Sequence, residues 1–251
     1  MKKLNLIYML LISFSCLAVE TIYYEQVNTV IDTFTTLNKT KIAELIEYPL
    51  KRQTPIPAIN NQTDLLQRFD QVFDEQLIHM VAQSDVNNNW FSVGWRGIML
   101  NDGVIWLNTQ GKITTINYST HAEAQLQQQL QTQQQQQLHS SVSNFEHAVF
   151  AWQTQSSLIR VDQLQSGAYR LASWAMNKSP EEQPNIVIVG GDKVFSGSGG
   201  NVYFTFTEGN YIYRCDVNKL GENERPLGTF SITKSSELLV SEHVMKVITA
   251  H

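Results

Sequence analysis

The sequence predicts an α+β chain: N-terminal helices packed on a curved antiparallel sheet, followed by an all-β barrel or sandwich domain. Three observations lead there. Apolar residues recur at spacings of three and four before Val81, the period changes to two after Asn89, and a glutamine run, QLQQQLQTQQQQQ, spans Gln125 to Gln137 between the two regions.

The N-terminus comes first. Lys2 and Lys3 precede an apolar run from Leu4 through Ile12, which ends in small residues around Ser13 to Ala18. A basic start, an apolar middle and small residues form a secretion signal. The run is shorter than the ~20 apolar residues that cross a hydrocarbon core. Residues 1–18 therefore read as a signal peptide cut between Ala18 and Val19, and the expected location is periplasmic (in a Gram-negative bacterium) or secreted. Cys16 offers a second reading as a lipid-carrying cysteine, although Ser13-Phe14-Ser15 before it lacks the leucine of such sites.

Residues 19–121 read as an α+β domain. From Ile22 to Leu37, apolar side chains at Tyr23, Val27, Val30, Ile31, Phe34 and Leu37 mark an amphipathic helix. Lys39 to Tyr48 repeats the pattern through Ile42, Leu45 and Ile46, and Pro49 ends it, because the residue before a proline avoids helical angles. Leu65, Phe69, Val72, Phe73, Leu77 and Val81 then predict one longer helix, capped by Asn61 or Thr63. Strands come next at Trp90 to Val93, Arg96 to Leu100, Val104 to Leu107 and Lys112 to Tyr118. Asn101-Asp102-Gly103 and Thr109-Gln110-Gly111 supply the turns.

Helices followed by an antiparallel sheet within about a hundred residues is an order also found in a known superfamily. The segments IDTFTTLNKTKIAELIEYPL, DLLQRFDQVFDEQLIHMV and WRGIMLNDGVIWLNTQGKITTINYS give residues 19 to 119 a resemblance to nuclear-transport-factor-two-like domains. That resemblance implies a cone of helices on a curved sheet with an internal pocket. Members include enzymes and binding modules, so the fold leaves function open.

Residues 122–144 read as a Gln-rich linker or helix. Glutamine and leucine favour helix, yet such a run buries little apolar surface against its ordering entropy. Residues 145–251 read as antiparallel β: Ala148 to Gln153, Leu158 to Val161, Tyr169 to Ala175, Ile186 to Val189, Asn201 to Phe206, Tyr211 to Asp216, Thr229 to Thr233 and Leu238 to Ile248. Turns separate them at Gln165-Ser166-Gly167, Gly190-Gly191-Asp192, Glu208-Gly209-Asn210 and Asn218 to Gly228. Barrel and sandwich share this pattern.

Charge narrows the partners. Removing residues 1–18 takes Lys+Arg from 18 to 16 against 23 acids, a net charge of −7. An acidic chain without a basic cluster is unsuited to nucleic acid, whose phosphates supply most of such affinity, and to anionic membrane surfaces. Another protein, cationic in character, is the expected partner, and no membrane-integral segment remains after cleavage. Cys215 alone survives the cut, which leaves no intramolecular disulfide.

Residues able to carry chemistry are few. No GxSxG, HExxH or clustered Cys/His pattern occurs in the sequence, and neither cofactor nor metal is expected. Enzymes of the cone fold place an acid or histidine in the pocket, so Asp70 and His79 on the expected long helix are the catalytic candidates. Trp90, Trp95 and Arg96 are the ligand-binding candidates, with aromatic faces for an apolar body and a guanidinium for an acidic group. Ser196-Gly197-Ser198-Gly199-Gly200 leads into a strand and carries no Walker lysine. The stretch from Ser196 to Tyr203 resembles periplasmic inhibitors of C-type lysozyme, in which a Ser-Gly-rich loop ahead of a tyrosine enters the lysozyme cleft. The Lys-Gly segment of that family is missing after Tyr203. The resemblance makes Ser196, Ser198 and Tyr203 the partner-binding candidates. The expected function is thus an exported, non-catalytic binding protein with an inhibitor or immunity role; the alternative is an enzyme or small-ligand carrier using a pocket in the N-terminal domain.

Overall fold

The computed structural model describes residues 17–18, 20–196, 201–218 and 227–250. Two compact units divide the chain: Met1–Arg52 with Pro57–Ala124, and Gln53–Ile56 with Gln125–His251. Among the described residues no helix is long and apolar enough to cross a membrane. The signal-peptide expectation and Cys16 lie outside the described residues, apart from Leu17–Ala18. Those two residues form a short strand, β1, at the edge of the first sheet.

In the first unit, helix α1 (Tyr24–Thr35) turns Val27, Val30 and Phe34 inward, as the spacing predicts. Helix α2 (Lys39–Glu44) is capped by Asn38 and stops short of Pro49. The backbone leaves the helix early because Ile113 N donates to Leu45 O and Glu47 N to Ile113 O, tying this stretch to the sheet edge. The expected single helix through Leu65 and Val81 is corrected to three: α3 (Gln62–Gln67), α4 (Phe69–Val72) and α5 (Glu75–Ala82). Phe73 is extended, and Asp74 starts α5 afresh by accepting from Leu77 N at 2.8 Å. A mid-pattern aspartate is therefore a helix start, a signal that the apolar spacing masks. Asn61, the first of the two proposed caps, accepts from Asp64 N at 2.9 Å.

The sheet of this unit is an antiparallel meander, β1-β2-β3-β4-β5, with β2 Trp90–Ser92, β3 Ile98–Leu100, β4 Ile105–Leu107 and β5 Ile113–Ile116. Arg96 falls in a tight turn before β3, and Gly97 comes next with φ 98°. A Cβ there would stand 2.1 Å from Leu107 O, so only glycine lets β3 meet β4. Both turns proposed between strands have residues at positive φ: Asn101, Gly103 and Gly111. The core of helices and sheet is filled by side chains such as Phe34, Leu50, Leu65, Leu77, Trp90 and Leu107, all without exposed surface.

The glutamine run, all but its last residue Gln137, lies in helix α6 (His121–Gln136). Its amides do what apolar side chains would do elsewhere. Gln127, Gln131 and Gln135, one turn apart, donate to backbone carbonyls of Thr54, Phe145 and Glu146. Backbone groups satisfied in this way offset the ordering entropy that composition alone counts against the segment.

The second unit carries one continuous antiparallel sheet of nine strands in the order β13-β12-β11-β10-β9-β8-β7-β6-β14, curled into a half-barrel. The strands are β6 His147–Gln153, β7 Ser157–Gln163, β8 Tyr169–Ala175, β9 Ile186–Ser196, β10 Asn201–Glu208, β11 Tyr211–Val217, β12 Gly228–Lys234, β13 Glu237–His243 and β14 Lys246–Ala250. Two expectations are corrected. Gly190-Gly191-Asp192 does not turn the chain: β9 runs through it with a register shift, Gly190 taking φ 94°. Leu238 to Ile248 is two strands on opposite edges of the sheet. Between them, Val244 N donates to Gly228 O at 3.0 Å and Met245 N to Gln153 O at 2.8 Å, which brings the two sheet ends together.

Candidate functional site

The concave face of the half-barrel holds an apolar cavity of ≈ 330 Å³. Register decides what lines it. On β6, Ala148 pairs with Asp162 and Phe150 with Val161, which leaves Val149 as the extra residue of a bulge. That bulge turns Val149, Phe150 and Trp152 together toward the cavity. Phe150 and Trp152 stack with centroids 3.9 Å apart, and Phe204 of β10 meets Phe150 edge-on at 5.6 Å. Val202 and Val247 add aliphatic wall from β10 and β14. Gly228 keeps the seam narrow: a Cβ there would lie 2.8 Å from the Trp152 ring.

A cation stands on this face. Lys193 of β9 pairs with Phe204 across the ladder, so both side chains point to the same side. Its Nζ lies over the Phe195 ring at 5.4 Å and over Phe204 at 5.9 Å. Phe195 is 73% exposed, an aromatic ring left in water beside the cavity. Asn218 also contributes to the lining. Cys215 faces inward from β11 without exposed surface, and burial pushes its thiol well above its ordinary value, so it remains a protonated, apolar part of the core. Apolar walls with a cation suit a molecule that has an apolar body and an acidic group. Among the described residues, no group of three or more His, Cys, Asp or Glu is placed to hold a metal ion.

The residues singled out from sequence lie elsewhere. Asp70 ends up in α4 and His79 in α5, so the common helix that would align them is absent. Asp70 forms an exposed ion pair with Lys39 at 2.6 Å. Trp90 is core, its indole Nε1 donating to Ser84 Oγ at 2.9 Å. Trp95 is 95% exposed, on the same short turn as Arg96. The three proposed ligand-binding residues do not share a cavity wall. Ser196 is the last residue of β9, opposite Asn201, and Ser198 lies outside the described residues. Tyr203 is on the convex face of β10, where the Arg214 guanidinium covers its ring at 3.7 Å and pairs with Asp216 at 2.7 Å.

Sequence reasoning missed Val149, Phe150, Trp152, Lys193 and Phe204 as a group. The alternation in β6 and β10 was visible, but nothing local announces the bulge that gathers them. Compared with family models, curated proteins and solved structures, the chain matches none.

Proposed function

We propose that this chain is a binding protein whose β unit carries a small apolar acid. The observation that carries this reading is the ≈ 330 Å³ cavity, lined by aromatic and aliphatic side chains and bearing Lys193. Its size falls in the ordinary range of ligand pockets, about 300–1,000 Å³. Apolar burial supplies most of the affinity, and an ammonium beside aromatic faces selects an anionic end group. The carrier role expected for the first unit thus has better support in the second, since the first unit's interior is occupied by its own side chains. Export fits this role: the Lys2, Lys3 and apolar N-terminal pattern supports secretion, and an apolar acid needs a carrier in an aqueous compartment.

Titration calorimetry with octanoate tests the reading. Saturable binding with one site in this cavity is expected, weakened about tenfold or more in Lys193→Met. Absent binding, or an unchanged affinity in Lys193→Met, overturns it.

A further inference from the structure

A second site lies on the opposite face of the same strands. Arg160 and Asp162 of β7 and Arg170 of β8 are buried together on the convex side, each side chain more than nine-tenths buried. Asp162 Oδ2 takes a hydrogen bond from Arg170 Nη2 at 2.7 Å, and Arg170 also donates to Val142 O and Asn144 O. Arg160 lacks such carbonyl partners among the bonds of this cluster. Its Nη2 forms an ion pair with Asp162 Oδ1 at 2.7 Å, while its buried Nε, like that of Arg170, makes no hydrogen bond among the described residues. The guanidinium instead lies over the Phe145 ring at 4.6 Å. Two guanidiniums against one carboxylate leave this cluster a net positive charge away from water, which is costly unless an anion accompanies it.

Arg160 lines a cavity of ≈ 130 Å³ between this face and helix α6. Gln134 of α6 lines it too, and its buried Oε1 is an acceptor without a donor among the described residues. Apart from Gln137, the remaining wall is apolar, from Leu158, Trp174 and Ile248 among others. The volume is that of about four waters. The complement of these groups is a carboxylate for Arg160, a hydroxyl to donate to Gln134 Oε1, and a few carbons for the apolar wall. We propose that this cavity binds a short hydroxy-monocarboxylate. The two cavities share Trp152, but their polar groups are separate: Arg160 and Gln134 line only this one, and Lys193 lines only the concave one.

Calorimetry with 3-hydroxybutyrate, butyrate and chloride on the full chain tests this. Saturable binding is expected for 3-hydroxybutyrate, weaker binding for butyrate, and none for chloride at matched ionic strength. Arg160→Met should weaken 3-hydroxybutyrate about tenfold or more. Ala151→Leu, which fills the cavity and keeps every charged side chain, should abolish binding and leave the circular dichroism spectrum and octanoate affinity unchanged. Lys193→Met should leave the hydroxy acid bound as before. The proposal fails if 3-hydroxybutyrate does not bind, which would mean that water alone serves these groups. It also fails if butyrate or chloride binds as well, or if binding survives both convex-face substitutions.

Discussion

The Arg52 guanidinium lies against the Glu123 carboxylate in a buried pair, with Nε to Oε1 at 2.5 Å and side chains only 3% and 2% exposed. Arg52 also donates from Nη1 to Ile116 O and from Nη2 to Tyr118 O, both at 2.8 Å. Glu123 belongs to the first turn of α6, where its N–H donates to Thr120 Oγ1. One pair thus joins the start of the glutamine helix to the end of the first sheet.

Removing one member should strand the other. Glu123→Ala is expected to lower unfolding free energy by about 3–5 kcal/mol, because an unpaired buried guanidinium remains. The double variant Arg52→Met, Glu123→Leu should cost clearly less than Glu123→Ala alone, since no charge is left without a partner. Urea unfolding of the three proteins checks both statements; equal losses in the single and double variants would show that the pair is not buried as described.

Gly191 should resist replacement. Its missing Cβ would stand 2.2 Å from Cε1 of Phe206, a ring with 1% exposure in the half-barrel core. Gly191→Ala is expected to destabilise by about 1–3 kcal/mol through overpacking. Phe206→Leu in the same chain should recover part of that loss, a non-additivity that a double-mutant cycle measures. Simple addition of the two losses would place the ring away from the glycine.

Acid should loosen the barrel seam through Glu242. Burial alone raises its carboxyl, but bonds from the Thr154 and Ser156 hydroxyls and the Ser156 N–H outweigh burial and hold it below the ordinary value of 4.5. A carboxyl depressed in the folded state stabilises above its unfolded value and loses that contribution as pH falls through the folded value. Wild type should therefore lose more stability than Glu242→Gln as pH falls below 4.5. Denaturation midpoints of both proteins against pH give the test, and parallel curves would remove Glu242 from the seam.

Much of the local structure was legible. Val27, Val30 and Phe34 announced α1, and Asn101 with Gly103 announced a turn, because helix pitch and positive φ are properties of a few consecutive residues. The broken helix was less legible: Phe69, Val72, Phe73 and Leu77 keep apolar spacing across the break, while Phe73 ends one helix and Asp74 caps the next. The candidate cavity was not legible, since its cation and its aromatics come from β6, β9 and β10, which meet only through pairing.

By itself the amino-acid sequence determined the α+β class, the change of period near Asn89, the glutamine segment between the two regions and the antiparallel character of the C-terminal region. Only the tertiary structure decided which faces those strands present. A bulge at Val149 turns Phe150 and Trp152 inward, and a strand passing through Gly190 and Gly191 puts Lys193 beside Phe204. Side chains alternate along a strand, so one inserted residue exchanges every face beyond it. The same holds for charge: Arg160, Asp162 and Arg170 look like solvated strand residues until β7, β8 and the segment after α6 close over them. Periodicity is set by neighbours in the chain, whereas register and burial are set by partners far along it.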